Sequence, residues 1–146
     1  MKVTRDRFYE IKSNLRTPTQ VKILTGSMDP FIKAGEKVLI RPFDPNSLKK
    51  LDTIIFWQED KLICHFFYKK ELKQNKWIYY AKALNSKKLD SPLTEDDILG
   101  VVIKPSLPQW KKFLMKFLFS RYKKTLLTDF FTLNFSSKKE ENITNI

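Results

Sequence analysis

Between residues 19 and 104 the chain alternates short apolar runs with polar punctuation, and the runs are rich in β-branched and aromatic residues. Residues 21–24 (VKIL), 37–41 (KVLIR), 53–57 (TIIFW), 61–68 (KLICHFFY), 76–82 (KWIYYAK) and 98–103 (ILGVVI) carry this signature. Bounded as they are by Gly, Pro, Asp and Asn, each predicts a strand. The polar stretch 69–75 reads as a hairpin loop between the fourth and fifth runs. Six short strands so closely spaced leave no length for crossover helices. They predict a mainly β fold with a compact, largely antiparallel, barrel-like core.

After Pro105 and Pro108 the period changes. Trp110, Phe113, Leu114, Phe117, Leu118, Arg121, Tyr122 and Thr125 recur at three- and four-residue steps, with lysines around the rest of the circumference. This predicts a basic amphipathic helix over 108–133, followed by a polar, disordered tail over 134–146. The opening segment, 1–18, is charged throughout. It lacks an apolar run of signal-peptide length and is expected to be neither a signal peptide nor a membrane anchor. Lysines and arginines interrupt 110–133 too often for a spanning helix, so no transmembrane segment is expected. One domain, 19–104, with appendages is the organisation that 146 residues favour.

Composition narrows the chemistry. Lys and Arg number 28 against 16 Asp and Glu, a formal charge of +12, which draws a protein toward anionic surfaces without saying which kind. A single cysteine, Cys64, excludes an internal disulfide and a cysteine zinc cluster, and its apolar neighbours predict a buried small side chain. Three glycines cannot form a dinucleotide-binding fingerprint, and neither a metal nor a cofactor is expected.

Ser27 stands out in Thr25-Gly26-Ser27-Met28-Asp29-Pro30. Serine beside Gly and Pro is ordinarily a turn residue. Here it follows one predicted strand, and an Ala34-Gly35-Glu36 turn leads directly into the next, so its hydroxyl can be lifted toward a groove. A serine nucleophile needs a base within hydrogen-bond reach. His65, the only histidine, is the natural candidate, although a lone histidine in an apolar strand is ordinarily a packed structural residue. Strand alternation sets Ile63, His65 and Phe67 on one face and Leu62, Cys64 and Phe66 on the other. Lys61 or Lys82 could serve as base if burial depressed its pKa, while a solvated surface role is the ordinary reading of a lysine.

From Thr25 to Val102 these residues resemble the serine peptidases of the signal peptidase I type, especially the archaeal and endoplasmic-reticulum branch with a histidine base. The nucleophile box Gly-Ser-Met-x-Pro matches Gly26 to Pro30, and its Gly-Asp turn is matched by Gly35-Glu36. The second box, Gly-Asp-Ile-Ile-x-Phe, is approximated by Leu51-Asp52-Thr53-Ile54-Ile55-Phe56, with Leu51 in place of Gly. Cys64-His65-Phe66 stands where the family has Thr-His-Arg. Ala81-Lys82-Ala83-Leu84-Asn85, with Asp90 beyond, stands where it has Thr-Lys-Gly-Asp-Asn and a further Asp.

The resemblance implies a peptidase-like β domain over 19–104 with Ser27 as nucleophile, His65 as general base and Asp90 orienting the imidazole. It also implies Thr25 and the Ser27 amide at the oxyanion, and Met28 and Pro30 at the substrate. Asp90, ahead of Ser91-Pro92, is equally a common turn starter. The function expected is a serine endopeptidase cleaving an extended peptide or preprotein through an acyl-enzyme, with an anionic membrane surface as a second partner through 110–133. Such a protein is expected to be membrane-associated without a span, or cytoplasmic. A non-catalytic interaction module of the same fold is the alternative. A nucleic-acid-associated domain, like the SOS-repressor cleavage domains that share the fold, is the lesser one. No nucleic-acid partner is expected, because Trp77, Tyr79 and Tyr80 lie in a strand pattern and no helix-turn-helix precedes the serine box.

Overall fold

The computed structural model describes residues 2–84, 86–106, 108, 110–113 and 115. The chain divides into two units at residues 107 and 108. The first holds helix α1 (Arg5–Asn14), strands β1 (Thr19–Lys22), β2 (Lys37–Pro42), β3 (Thr53–Gln58), β4 (Lys61–Lys73) and β5 (Lys76–Lys82), a short 3-10 turn (Glu95–Asp97) and β6 (Ile98–Lys104). The fold is mainly β, as the apolar runs predict.

The six strands form one sheet in the order β1-β2-β6-β3-β4-β5, with every neighbouring pair antiparallel. The expected barrel-like closure is not what is found: the sheet is open, with β1 and β5 at its two edges. The β5 edge is partly covered by a returning segment, where Tyr79 and Leu93 exchange backbone hydrogen bonds of 2.8 and 2.9 Å.

Both long hairpins close on two-residue turns whose central residues are left-handed: Glu59 and Asp60 between β3 and β4, and Gln74 and Asn75 between β4 and β5. Positive φ at both positions is the turn that suits the right-handed twist of paired strands. The loop expected over 69–75 is therefore strand up to Lys73. Its polar residues belong to an arm that extends beyond the core. Strand β1 likewise begins two residues earlier than its apolar run.

One sheet face carries the main core: Ile54, Phe56, Phe67, Tyr79, Ala81, Leu93, Ile98 and Val101, all buried, with Phe43, Leu48 and Ile63 against them. Gly100 pairs with Ile55 and so belongs to the other face, where a Cβ on it would meet the Arg41 carbonyl oxygen and the Leu15 side chain.

The charged N-terminal segment forms a helix that sequence reading did not anticipate, because a single apolar anchor holds it. Phe8 is fully buried against Trp57, the Trp57 Nε1–H donates to the Val3 carbonyl at 2.6 Å, and Arg5 pairs with Asp97 at 2.6 Å while lying over the Trp57 ring. Thr4 caps it by accepting from the Arg7 amide.

In the second unit, residues 110–113 and 115 are helical, with the amides of Lys111 and Lys112 donating to the Pro108 carbonyl. This matches the start of the predicted helix; the remainder of 108–133 and the tail at 134–146 lie outside the described residues. Among the described residues no helix is long and apolar enough to cross a membrane.

Candidate active site

Ser27 sits in the connection between β1 and β2, and the base of that connection is stapled. The Ile23 amide donates to the Glu36 carbonyl at 2.9 Å and the Gly35 amide to the Ile23 carbonyl at 2.7 Å. Gly35 holds a φ of +87°, a backbone that side chains oppose, which is why glycine marks this turn. Inside the loop, Asp29 N–H donates to Gly26, and Phe31 and Ile32 N–H both donate to Met28, winding a tight turn around the serine. Met28 and Ile32 are buried and pin the turn down, leaving Ser27 half-buried and Thr25 exposed. Met28, expected at the substrate, thus has its side chain in the interior, where it supports the loop. Pro30 is exposed.

The Ser27 Oγ lies 3.5 Å from the Thr25 Oγ1, at the long end of hydrogen bonding. This brings together the two hydroxyls that the resemblance pairs.

His65 lies opposite Ile54 on the core face of β4, with Phe56 packed edge-on to its ring at 5.9 Å between centroids. Its Nδ1 is 2.7 Å from the Asp90 Oδ2, and both side chains are largely withdrawn from solvent. A carboxylate only accepts, so Nδ1 carries the proton in this contact and the neutral imidazole keeps its lone pair on Nε2. No buried side-chain nitrogen or oxygen among the described residues lacks a partner.

Asp90 reaches this position through the segment that covers the β5 edge. Its amide donates to the Ala81 carbonyl at 2.9 Å, and Leu93, buried in the core, bridges to Tyr79. Sequence reasoning missed this lateral track. Its signal was Pro92, which biases Ser91 toward extended backbone. The turn reading of Asp90 gives way to a carboxylate held alongside a strand and aimed at the only histidine.

The two halves of the expected triad are not hydrogen-bonded to each other among the described residues. Their connection is indirect: Phe31 of the serine loop packs edge-on against Phe66, with centroids 6.2 Å apart. Phe66 alternates to the face opposite His65 and pairs with Lys82. Lys82 is buried, which lowers its ammonium pKa from the usual lysine range, whereas Lys61 is exposed beside a turn. Cys64 is buried as expected, and burial pushes its thiol up to about 12. Among the described residues no three His, Cys, Asp or Glu side chains converge as a metal site would need.

Leu51 stands where the resemblance has glycine, and its backbone φ is +72°. Its amide donates to Phe67 at 2.8 Å, and the Phe67 amide returns a bond to Asp52 at 2.7 Å. The left-handed turn leading into β3 is thus present, occupied by a fully buried leucine. Comparison with known proteins found no matching family model and no matching curated protein.

Proposed function

We propose that the chain is a serine endopeptidase of the signal peptidase I kind, with Ser27 as nucleophile and the His65–Asp90 pair as its base. The observation that carries this reading is the 2.7 Å contact between Nδ1 and a carboxylate held for it by the β5 edge. Such a pair fixes the tautomer that leaves Nε2 free to accept a proton. The left-handed turn at Leu51, where the related box has glycine, supports the same reading.

In this mechanism an extended peptide lies along the serine loop. As the Ser27 Oγ bonds to the scissile carbonyl carbon, its proton passes to His65 Nε2. The Thr25 hydroxyl and the Ser27 amide meet the developing oxyanion. Collapse breaks the carbon–nitrogen bond, and the imidazolium returns its proton to the leaving amine. Water then repeats the sequence to release the acyl group. For the first step the Ser27 hydroxyl must leave Thr25 and come within hydrogen-bond reach of His65 Nε2, an approach that the serine loop has to make when substrate binds.

A non-catalytic interaction module is the second reading, and specific observations favour it: the serine hydroxyl faces Thr25, and its loop meets β4 through Phe66 on the face away from His65. Incubation with a mixture of extended peptides, followed by mass spectrometry of the products, separates the two. Endopeptidase activity predicts cleavage products with the wild type that vanish in Ser27→Ala; identical products from both proteins, or none from a folded wild type, favour the module.

A further inference from the structure

We propose that the tip of the β4–β5 hairpin is a contact site for anionic lipid surfaces. Leu72 and Trp77 face each other across the arm and are 57% and 43% exposed. They continue the face on which Tyr79, two residues back toward the core, is fully buried. The apolar face thus runs out of the core and ends in an uncovered leucine–tryptophan pair.

Lysines surround that pair. Lys70 lies over the Trp77 ring at 4.7 Å, and Lys69 and Lys73 lie over Tyr80 on the other face at 5.0 and 5.4 Å. Lys76 sits opposite Lys73 at the turn. Glu71, the one acid of the tip, is paired with both Lys69 and Lys73. The arm therefore presents net positive charge around an apolar end.

This combination selects its partner. Single-stranded nucleic acid would need open aromatic faces on which to stack, but lysines lie over the rings of Trp77 and Tyr80, and Leu72 offers no ring at all. At a bilayer interface the same residues fit: tryptophan and leucine seat at the boundary of headgroups and acyl chains, and the lysine stems extend their ammonium groups toward anionic headgroups. The site is independent of the peptidase reading.

Cosedimentation of the full chain with vesicles of phosphatidylglycerol and phosphatidylcholine, against phosphatidylcholine alone, tests it. Binding to the anionic vesicles that weakens with salt is expected. The exposed-charge variant Lys70→Gln/Lys73→Gln/Lys76→Gln should lose on the order of a hundredfold in affinity, and Leu72→Ser/Trp77→Ser at least about tenfold. If the serine variant folds poorly by circular dichroism, the glutamine variant decides. Wild type that binds no vesicles, binds only an oligonucleotide, or binds vesicles equally well after the lysine substitutions overturns the proposal. So does binding abolished by Lys111→Gln/Lys112→Gln and untouched by the hairpin changes.

Discussion

Asp90 has a position that only a partner explains: its carboxylate is withdrawn from solvent, tied through its amide to Ala81, and turned to His65. Asp90→Asn keeps the shape but favours the wrong imidazole tautomer, and it predicts a loss of peptidase turnover on the order of 10⁴-fold with little change in KM. A second residue-scale consequence concerns acid stability. Burial alone would raise the Asp97 pKa, but the Thr94 amide, Arg5 and the Thr94 hydroxyl all hydrogen-bond its carboxylate and hold it below the usual range. A carboxyl depressed in the folded state stabilises the fold above its unfolded pKa of about 3.9, and that contribution is lost as pH falls through the lower folded value. Urea midpoints should therefore drop on acidification below about pH 4, and the drop should be shallower in Asp97→Asn. Cys64, with its thiol pushed up to about 12 by burial, should resist alkylation at neutral pH until the protein is unfolded.

At the scale of elements, the two serine-site halves were unequally legible. Ser27 lies in a local turn whose signals, Gly26, Pro30 and Gly35, stand within nine residues of one another, so the loop could be read from the chain. His65 and Asp90 meet across a lateral pairing of a non-strand segment with β5, and periodicity carries no trace of such pairing. The strands were legible because their apolar runs must be buried. The tip of the β4–β5 arm was not, because Lys69 to Lys73 pair through backbone that composition does not report. Helix α1 was hidden for a related reason: among charged residues, one phenylalanine does the anchoring. Two tests address these elements. Gln74→Asn with Asn75→Gly relieves left-handed backbone at both turn positions and should stabilise by about 1 kcal/mol. Gly100→Ala forces a Cβ onto the Arg41 carbonyl between β2 and β6 and should destabilise by about 1–3 kcal/mol in denaturant unfolding.

For the whole molecule, an open antiparallel sheet carries three features: a stapled serine loop between β1 and β2, a histidine on β4 paired with a carboxylate from the segment along the β5 edge, and a basic arm at the β4–β5 tip. Its net charge of +12 makes anionic partners of any kind salt-sensitive, so substrate assays belong at fixed ionic strength. The central claim is that the first two features act together. It is tested most directly by intact-protein mass spectrometry after exposure to a serine-directed acylating probe at neutral pH, comparing wild type with Ser27→Ala, His65→Ala and Lys82→Met. One adduct on the wild type and on Lys82→Met, absent from Ser27→Ala and His65→Ala, is the predicted result. A folded wild type that takes no adduct at Ser27, or one whose labelling survives in His65→Ala and disappears in Lys82→Met, would contradict it.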